Sequence, residues 1–325
     1  MRERNQSLDA LKGITILLVM FGHVQVHNQM TDPYLYDVIK SLQMPMFFLI
    51  SGYLAGVGTK IQSIKQYRER MFKRVISYLL PFFSWLVVQH LSYIPRAVKT
   101  VLFQLDYGLW FLMTLFLFTW LTYTAQLCEA KVKRAWGFWL IYLGGCMGIL
   151  VAYLAGVTFL SPSLLIIYLP YYTAAYLIGR CQEHLTQWIS VSVQRVMAYL
   201  SGIVFMVMAV ALDLVTVTSA LMLGIQTIAS FLGCWFVIRL VLDWKEEKWK
   251  HRLAVLGQYT LEIYVLHYQF ATILNPDHIS YTFWSPSGLL YSAAAFGAMS
   301  ILTAVGIYII DHIGLFRLLL FGKKK

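Results

Sequence analysis

About ten times along this chain some 20 mostly apolar residues follow one another, the length a helix needs to cross the hydrocarbon core of a bilayer. The runs lie near 8–27, 38–57, 73–92, 108–126, 136–156, 163–180, 196–213, 217–240, 253–274 and 288–311. Charged residues make up 13% of the sequence, about half of the roughly 25% a soluble domain carries, and the mean hydropathy is +0.65. So little polar surface does not cover a water-soluble body, and backbone in lipid must satisfy its own hydrogen bonds. The runs therefore predict an all-α polytopic membrane protein: one bundle of about ten transmembrane helices, a single domain over 1–325, without long linkers or internal repeats. The first run is longer than the core of a secretory leader and continues into polar residues without a small-residue cleavage site, so it reads as a span.

The net charge of +11 raises the question of nucleic acid, but the cations are not gathered into one patch. They recur in every second loop: Arg2 and Arg4; Lys60, Lys65, Arg68, Arg70, Lys73 and Arg74; Lys131, Lys133 and Arg134; Arg180 and Arg195; Lys245, Lys248, Lys250 and Arg252; and Lys323, Lys324 and Lys325. The opposite loops hold only Arg96 and Lys99, with Lys40 at a span edge. That alternation is the mark of cytoplasmic membrane loops. It predicts that both termini are cytoplasmic and that nucleic acid is not a partner.

Ionisable groups inside a span cost roughly 2.5–3.5 kcal/mol on insertion scales and point to function. The first span, SLDALKGITILLVMFGHVQVH, holds Asp9, Lys12 and His23. Eleven residues of helix turn through about 1100°, so Lys12 and His23 share a face to within roughly 20° and stand about 16 Å apart along the axis. Asp9 falls on the same side. The plainer reading makes Asp9 and Lys12 an interfacial ion pair and His23 a packing histidine bonded to a neighbouring helix. The ninth span, LGQYTLEIYVLHYQF, carries Glu262 and His267 about 140° apart on a helix, with Tyr264 on the His267 side. His267 is expected at a depth like that of His23, so the two histidines either line one cavity or make separate structural hydrogen bonds.

In the basic segment YRERMFKRV, Arg70 stands three residues before Lys73 and four before Arg74, one cationic helix face suited to phosphate, to lipid headgroups or simply to fixing topology. Trp110 opens the fourth span as an interfacial anchor, Pro45 is expected to kink the second, and Ser51-Gly52 permits close helix approach. Asp106, Asp213, Asp277 and His278, with a turn at Asn275-Pro276, mark outer loops without a chemical spacing. Cys128, Cys146, Cys181 and Cys234 have neither metal-ligand nor redox-pair spacing, so no metal is expected.

The segments LDALKGITILLVMFGHV, QMPMFFLISGYL, LWFLMTLF and LGQYTLEIYVLHYQF, in this order, resemble the acyltransferase-3 membrane proteins, and most closely the fucose 4-O-acetylase-like sugar O-acetyltransferases. The resemblance spans nearly the whole chain. It implies a ten-helix bundle in a bacterial inner (plasma) membrane that takes an acyl group, usually acetyl, from cytoplasmic acyl-CoA to a hydroxyl of a cell-surface or lipid-linked glycan. It makes His23 the catalytic histidine, sets Lys12 where many members carry arginine, and places Glu262 and His267 in a late motif. It associates Arg70 and Arg74, with Lys73, with acyl-CoA. Gln43 stands where relatives often carry histidine. In such a mechanism Asp9 and Lys12 order the channel, His23 is the general base, and His267, Tyr264 or Trp110 supplies an oxyanion donor. The rival readings are a transporter or flippase of a glycan or lipid, and a sensor or scaffold without chemistry.

Overall fold

The computed structural model describes residues 5–181, 190–216, 219–275, 280 and 282–323. The basic tail residues Arg2, Arg4, Lys324 and Lys325 and the loop residues Pro276, Asp277 and His278 lie outside them. Every regular element among the described residues is helical. In chain order they are α1 (Gln6–His27), α2 (Pro33–Val57), α3 (Ile64–Arg74), a π-helical turn Val75–Leu79, α4 (Leu80–Gln89), α5 (Ile94–Phe103), a 3₁₀ turn Leu105–Tyr107, α6 (Trp110–Val132), α7 (Trp136–Leu154) and α8 (Pro162–Arg180). There follow α9 (Val191–Ala211), α10 (Ala220–Asp243), α11 (Glu247–Gly257), α12 (Thr260–Leu266), a 3₁₀ turn His267–Phe270, α13 (Pro286–His312) and α14 (Gly314–Phe321).

Nine helices among the described residues, counting α3 to α4 as one, are long and apolar enough to cross a membrane. They coincide with nine of the ten apolar runs. The chain is a polytopic, multi-pass membrane protein. Its surface says the same: only 17% of the most apolar window of α7, and 17% of that of α13, is buried inside the protein. Leu140, Leu154, Leu290 and Ile301 stand well exposed on those helices, and such apolar faces are stable against lipid rather than water.

The ninth run departs from expectation. Instead of one helix over 253–274, the chain forms α11, a break at Gln258-Tyr259, α12 and the 3₁₀ turn. The break is closed by tight bonds from the N–H groups of Gln258 and Tyr259 to the carbonyls of Val255 and Leu256, both at 3.0 Å. It falls where α1 crosses closely. A Cβ on Gly257 would lie 1.8 Å from the Asp9 carbonyl oxygen, and one on Gly13 would lie 2.1 Å from that of Leu253. Two backbones touch here because two glycines allow it. Elsewhere, α2 runs through Pro45 without interruption. The π-helical turn precedes Pro81, which has no N–H to give to the helical ladder.

The chain divides into two compact units. One is Met1–Ile50 with Cys181–Ile309, the other Ser51–Arg180 with Ile310–Lys325. In the first, α1 packs along α11 and meets α10, α12 and the 3₁₀ turn, while α9 pairs with α10. In the second, α6 packs on α7, α8 and α3, and α14 lies against α4, where the Trp85 indole N–H donates to the Leu320 carbonyl at 3.0 Å.

Candidate active site

The first unit gathers three histidines and a tyrosine at the end of α1. That helix starts cleanly, with the Asn5 side chain accepting from the Leu8 N–H at 3.2 Å and Asp9 in its first turn favouring the positive helix end. It ends at Asn28, which is fully enclosed. The Asn28 amide donates to the carbonyls of Val24 at 2.7 Å and Ala271 at 2.9 Å, and its oxygen accepts from the Tyr291 hydroxyl at 2.9 Å. One side chain thus ties the end of α1 to the 3₁₀ segment and to α13.

This clamp sets the rings. His23 and His267 stand 5.1 Å apart between centroids, edge to face at 78°. His27, one turn after His23, stacks on it at 5.3 Å and 12°, with His23 Nδ1 and His27 Nε2 3.2 Å apart. Tyr268 closes the cluster, 5.4 Å from His23 and 4.8 Å from His27. The structure brings His23 and His267 together; Tyr264 lies 6.2 Å from His267. His27 and Tyr268 belong to the cluster without having been singled out from the sequence. The visible signal for His27 was its i+4 position, on nearly the same helix face as His23.

The environments of the histidines differ. His23 is partly accessible, whereas His267 is 1% exposed. His267 Nδ1 lies 2.8 Å from the Ile263 carbonyl. A carbonyl only accepts, so Nδ1 carries the proton and Nε2 of the neutral ring is a bare acceptor. That Nε2 is buried without a hydrogen-bond partner among the described residues. Neutral His267 therefore has nothing to donate to an oxyanion from Nε2; it accepts, as a base or as an anchor for a hydroxyl.

Asp9 and Lys12 form the ion pair that the sequence allowed, at 3.1 Å, with Asp9 buried and Lys12 partly so. By the helix rise Lys12 stands about 16 Å, and Asp9 about 21 Å, from His23 along α1. Glu262 is 2% exposed in the first turn of α12, the helix that packs on α1. Among the described residues no three metal-ligating side chains converge as a metal-holding group, and the four cysteines are free thiols.

The remaining candidates belong to the second unit. The Arg70 guanidinium grips Thr59, at its carbonyl and, at 2.5 Å, at its hydroxyl. Lys73 is exposed. Arg74 turns into the protein, donating to the hydroxyls of Tyr78 at 2.9 Å and Tyr123 at 3.4 Å. Arg70 and Arg74 thus spend part of their donor sets on the protein rather than presenting one open cationic face. Trp110 stacks on Tyr168 at 5.0 Å and 27°.

Residues 5–311 match the acyltransferase-3 family, described as an acyltransferase domain. A stretch of 89 residues is 33% identical to the nodulation protein NolL of Sinorhizobium fredii (strain NBRC 101917 / NGR234), covering 25% of this chain and 23% of that protein. The chain thus matches about a quarter of that relative's length. No solved structure matches.

Proposed function

The chain belongs to the acyltransferase-3 family, and from that premise we propose that it moves an acyl group, acetyl foremost, from acyl-CoA to a hydroxyl of a cell-surface or lipid-linked glycan. The observation that carries this reading is the cluster of His23, His27 and His267 at the end of α1. A positioned base contributes roughly 10²–10⁴-fold to such a step, and imidazole is the side chain that takes and returns a proton near neutral pH.

In this account His23, the more accessible of the pair, takes the proton of the acceptor hydroxyl. The oxygen attacks the thioester carbonyl, the tetrahedral oxyanion collapses, the C–S bond breaks, and the coenzyme thiolate takes the proton back from His23. His27 holds His23: with His23 Nδ1–H donated to His27 Nε2, the His23 Nε2 lone pair is the one left for the substrate. His267, through its own bare Nε2, accepts from a second hydroxyl of the acceptor sugar and so aligns it. Asp9, Lys12 and Glu262 order the rest of α1 and α12. Arg70, Lys73 and Arg74 serve the phosphate end of the donor, Arg70 by fixing the segment at Thr59, and Trp110 serves as an aromatic wall. The protein works in a bacterial plasma membrane with both termini and the basic loops in the cytoplasm, a reading supported by the excess of Lys and Arg in alternate loops.

Membrane vesicles holding the protein, given acetyl-CoA labelled in its acetyl group on the basic-loop side, are expected to pass label into glycan or lipid-linked sugar. Vesicles with His23→Ala at equal abundance are expected to pass about 10²–10⁴-fold less. Equal transfer by both would remove His23 from the mechanism.

A further inference from the structure

Within the second unit, a cavity of about 390 Å³ opens beside the turn from α6 to α7, lined in part by Lys60, Gln126, Glu129, Lys133 and Arg134. Its wall is built from a continuous polar network. Buried Gln126 accepts from the Ile61 N–H at 3.1 Å and donates to the Tyr176 hydroxyl at 3.1 Å. That hydroxyl also accepts from Arg180 at 2.6 Å. Arg180 and Lys60 then share one carboxylate, Glu129, each at 3.2 Å. Lys133 and Arg134, also on the lining, enter no ion pair among the described residues. Cations thus outnumber the single carboxylate, and the surplus faces the cavity.

The backbone adds a second observation. Lys133 ends α6 at φ +56, in the left-handed region. Glycine is the ordinary residue there, because a side chain is strained. Here a lysine occupies the position and lines the cavity. Arg70 contributes from behind: by gripping Thr59 it fixes the residue next to Lys60.

A compact anion with several terminal oxygens matches this lining. A phosphate monoester carries about −1.5 to −2 at neutral pH and three strong acceptors. The volume is near the lower end of the roughly 300–1,000 Å³ of small-molecule sites, enough for one end of a long donor rather than all of it. We propose that this cavity binds the 3′-phosphate monoester at the nucleotide end of coenzyme A, and so selects the coenzyme over its dephosphorylated form. The proposal rests on the acyl-CoA reading above and adds to it a place and a chemical group.

The test is equilibrium binding of CoA and 3′-dephospho-CoA to the full chain in neutral-lipid nanodiscs, as wild type, Lys133→Gly and Arg134→Gln. Glycine suits the φ of position 133, so Lys133→Gly removes the charge without burdening the fold. The wild type is expected to prefer CoA by about tenfold or more, the scale of one charge-assisted hydrogen bond. Both variants are expected to bring that ratio toward one by weakening CoA alone. Good binding of both coenzymes by the wild type without preference, or a preference untouched in both variants, would overturn the cavity assignment while leaving the acyl-CoA reading in place. Binding of neither coenzyme would overturn the donor reading and this assignment with it. A lipid headgroup offers a related anion, a phosphodiester with one negative charge. If Lys133→Gly loses retained phosphatidylglycerol in native mass spectrometry while CoA binding stays unchanged, the occupant is a lipid and the proposal falls.

Discussion

His23 and His27 are both imidazoles on one helix face, and what separates them is what their neighbours leave free. If His27 serves by accepting from His23 Nδ1 across 3.2 Å, then His27→Gln, which keeps an acceptor, should retain most of the transfer rate. His27→Phe, which keeps the stacked ring but has no acceptor, should lose about 10–100-fold, a part of what a general base supplies. Transfer rates of the two variants under saturating donor decide it; a Phe variant as active as wild type beside a dead Gln variant would make His27 a packing ring only. The pairing of His23 with His267 was legible in the sequence, since two costly side chains at like depth in different spans have reason to meet. His27 was not picked out because it lies at the last residue of α1, where a polar side chain at the membrane edge needs no explanation. Asn28 was beyond reach for another reason: its partner carbonyl at Ala271 lies 243 positions away, and no local pattern encodes that. Asn28→Ala should destabilise the protein by about 1–3 kcal/mol by leaving buried acceptors and a donor unmatched, read as a lower thermal midpoint in detergent.

Among the elements, apolar runs and spans correspond closely, because run length and bilayer thickness are the same physical quantity. The ninth run is the exception. Its apolar pattern continues past Gln258-Tyr259, and no proline marks the break. The helix stops just after Gly257, where α11 touches α1 at Asp9, a tertiary contact that periodicity does not carry. The consequence is functional: the break frees α12 and the 3₁₀ turn to set Glu262 and His267 independently of α11. Gly257→Ala would press a methyl group onto the Asp9 carbonyl, and overpacking of this kind costs about 1–3 kcal/mol. The expected result is a lower thermal midpoint together with reduced transfer. A variant with unchanged midpoint and activity would contradict the close crossing. Arg70 teaches a related lesson. Its spacing with Arg74 suggested a shared phosphate face, yet its fork closes on Thr59. Arg70→Ala should therefore raise the apparent KM for acyl-CoA by loosening the segment at Lys60; unchanged donor binding would remove Arg70 from the donor side.

For the molecule as a whole, the exposed apolar faces of α7 and α13 and the nine helices among the described residues that are long and apolar enough to cross a bilayer make it a membrane protein, and the family match makes it a member of the acyltransferase-3 family. Orientation rests on the charge of alternate loops. Single cysteines introduced at Lys65 and Lys248 in a chain without its four native cysteines should be labelled only from the cytoplasmic side, and one at Lys99 only from the other. Labelling of all three from one side would undo the topology. The central claim is acyl transfer through His23, and it is tested most directly by the O-acyl content of the host's surface glycans in three strains: gene deleted, gene restored, and gene restored as His23→Ala at equal membrane abundance. The account predicts that one ester disappears on deletion, returns with the wild-type gene and stays absent with His23→Ala. Full return of the ester with His23→Ala, or the same esters in all three strains, would contradict it.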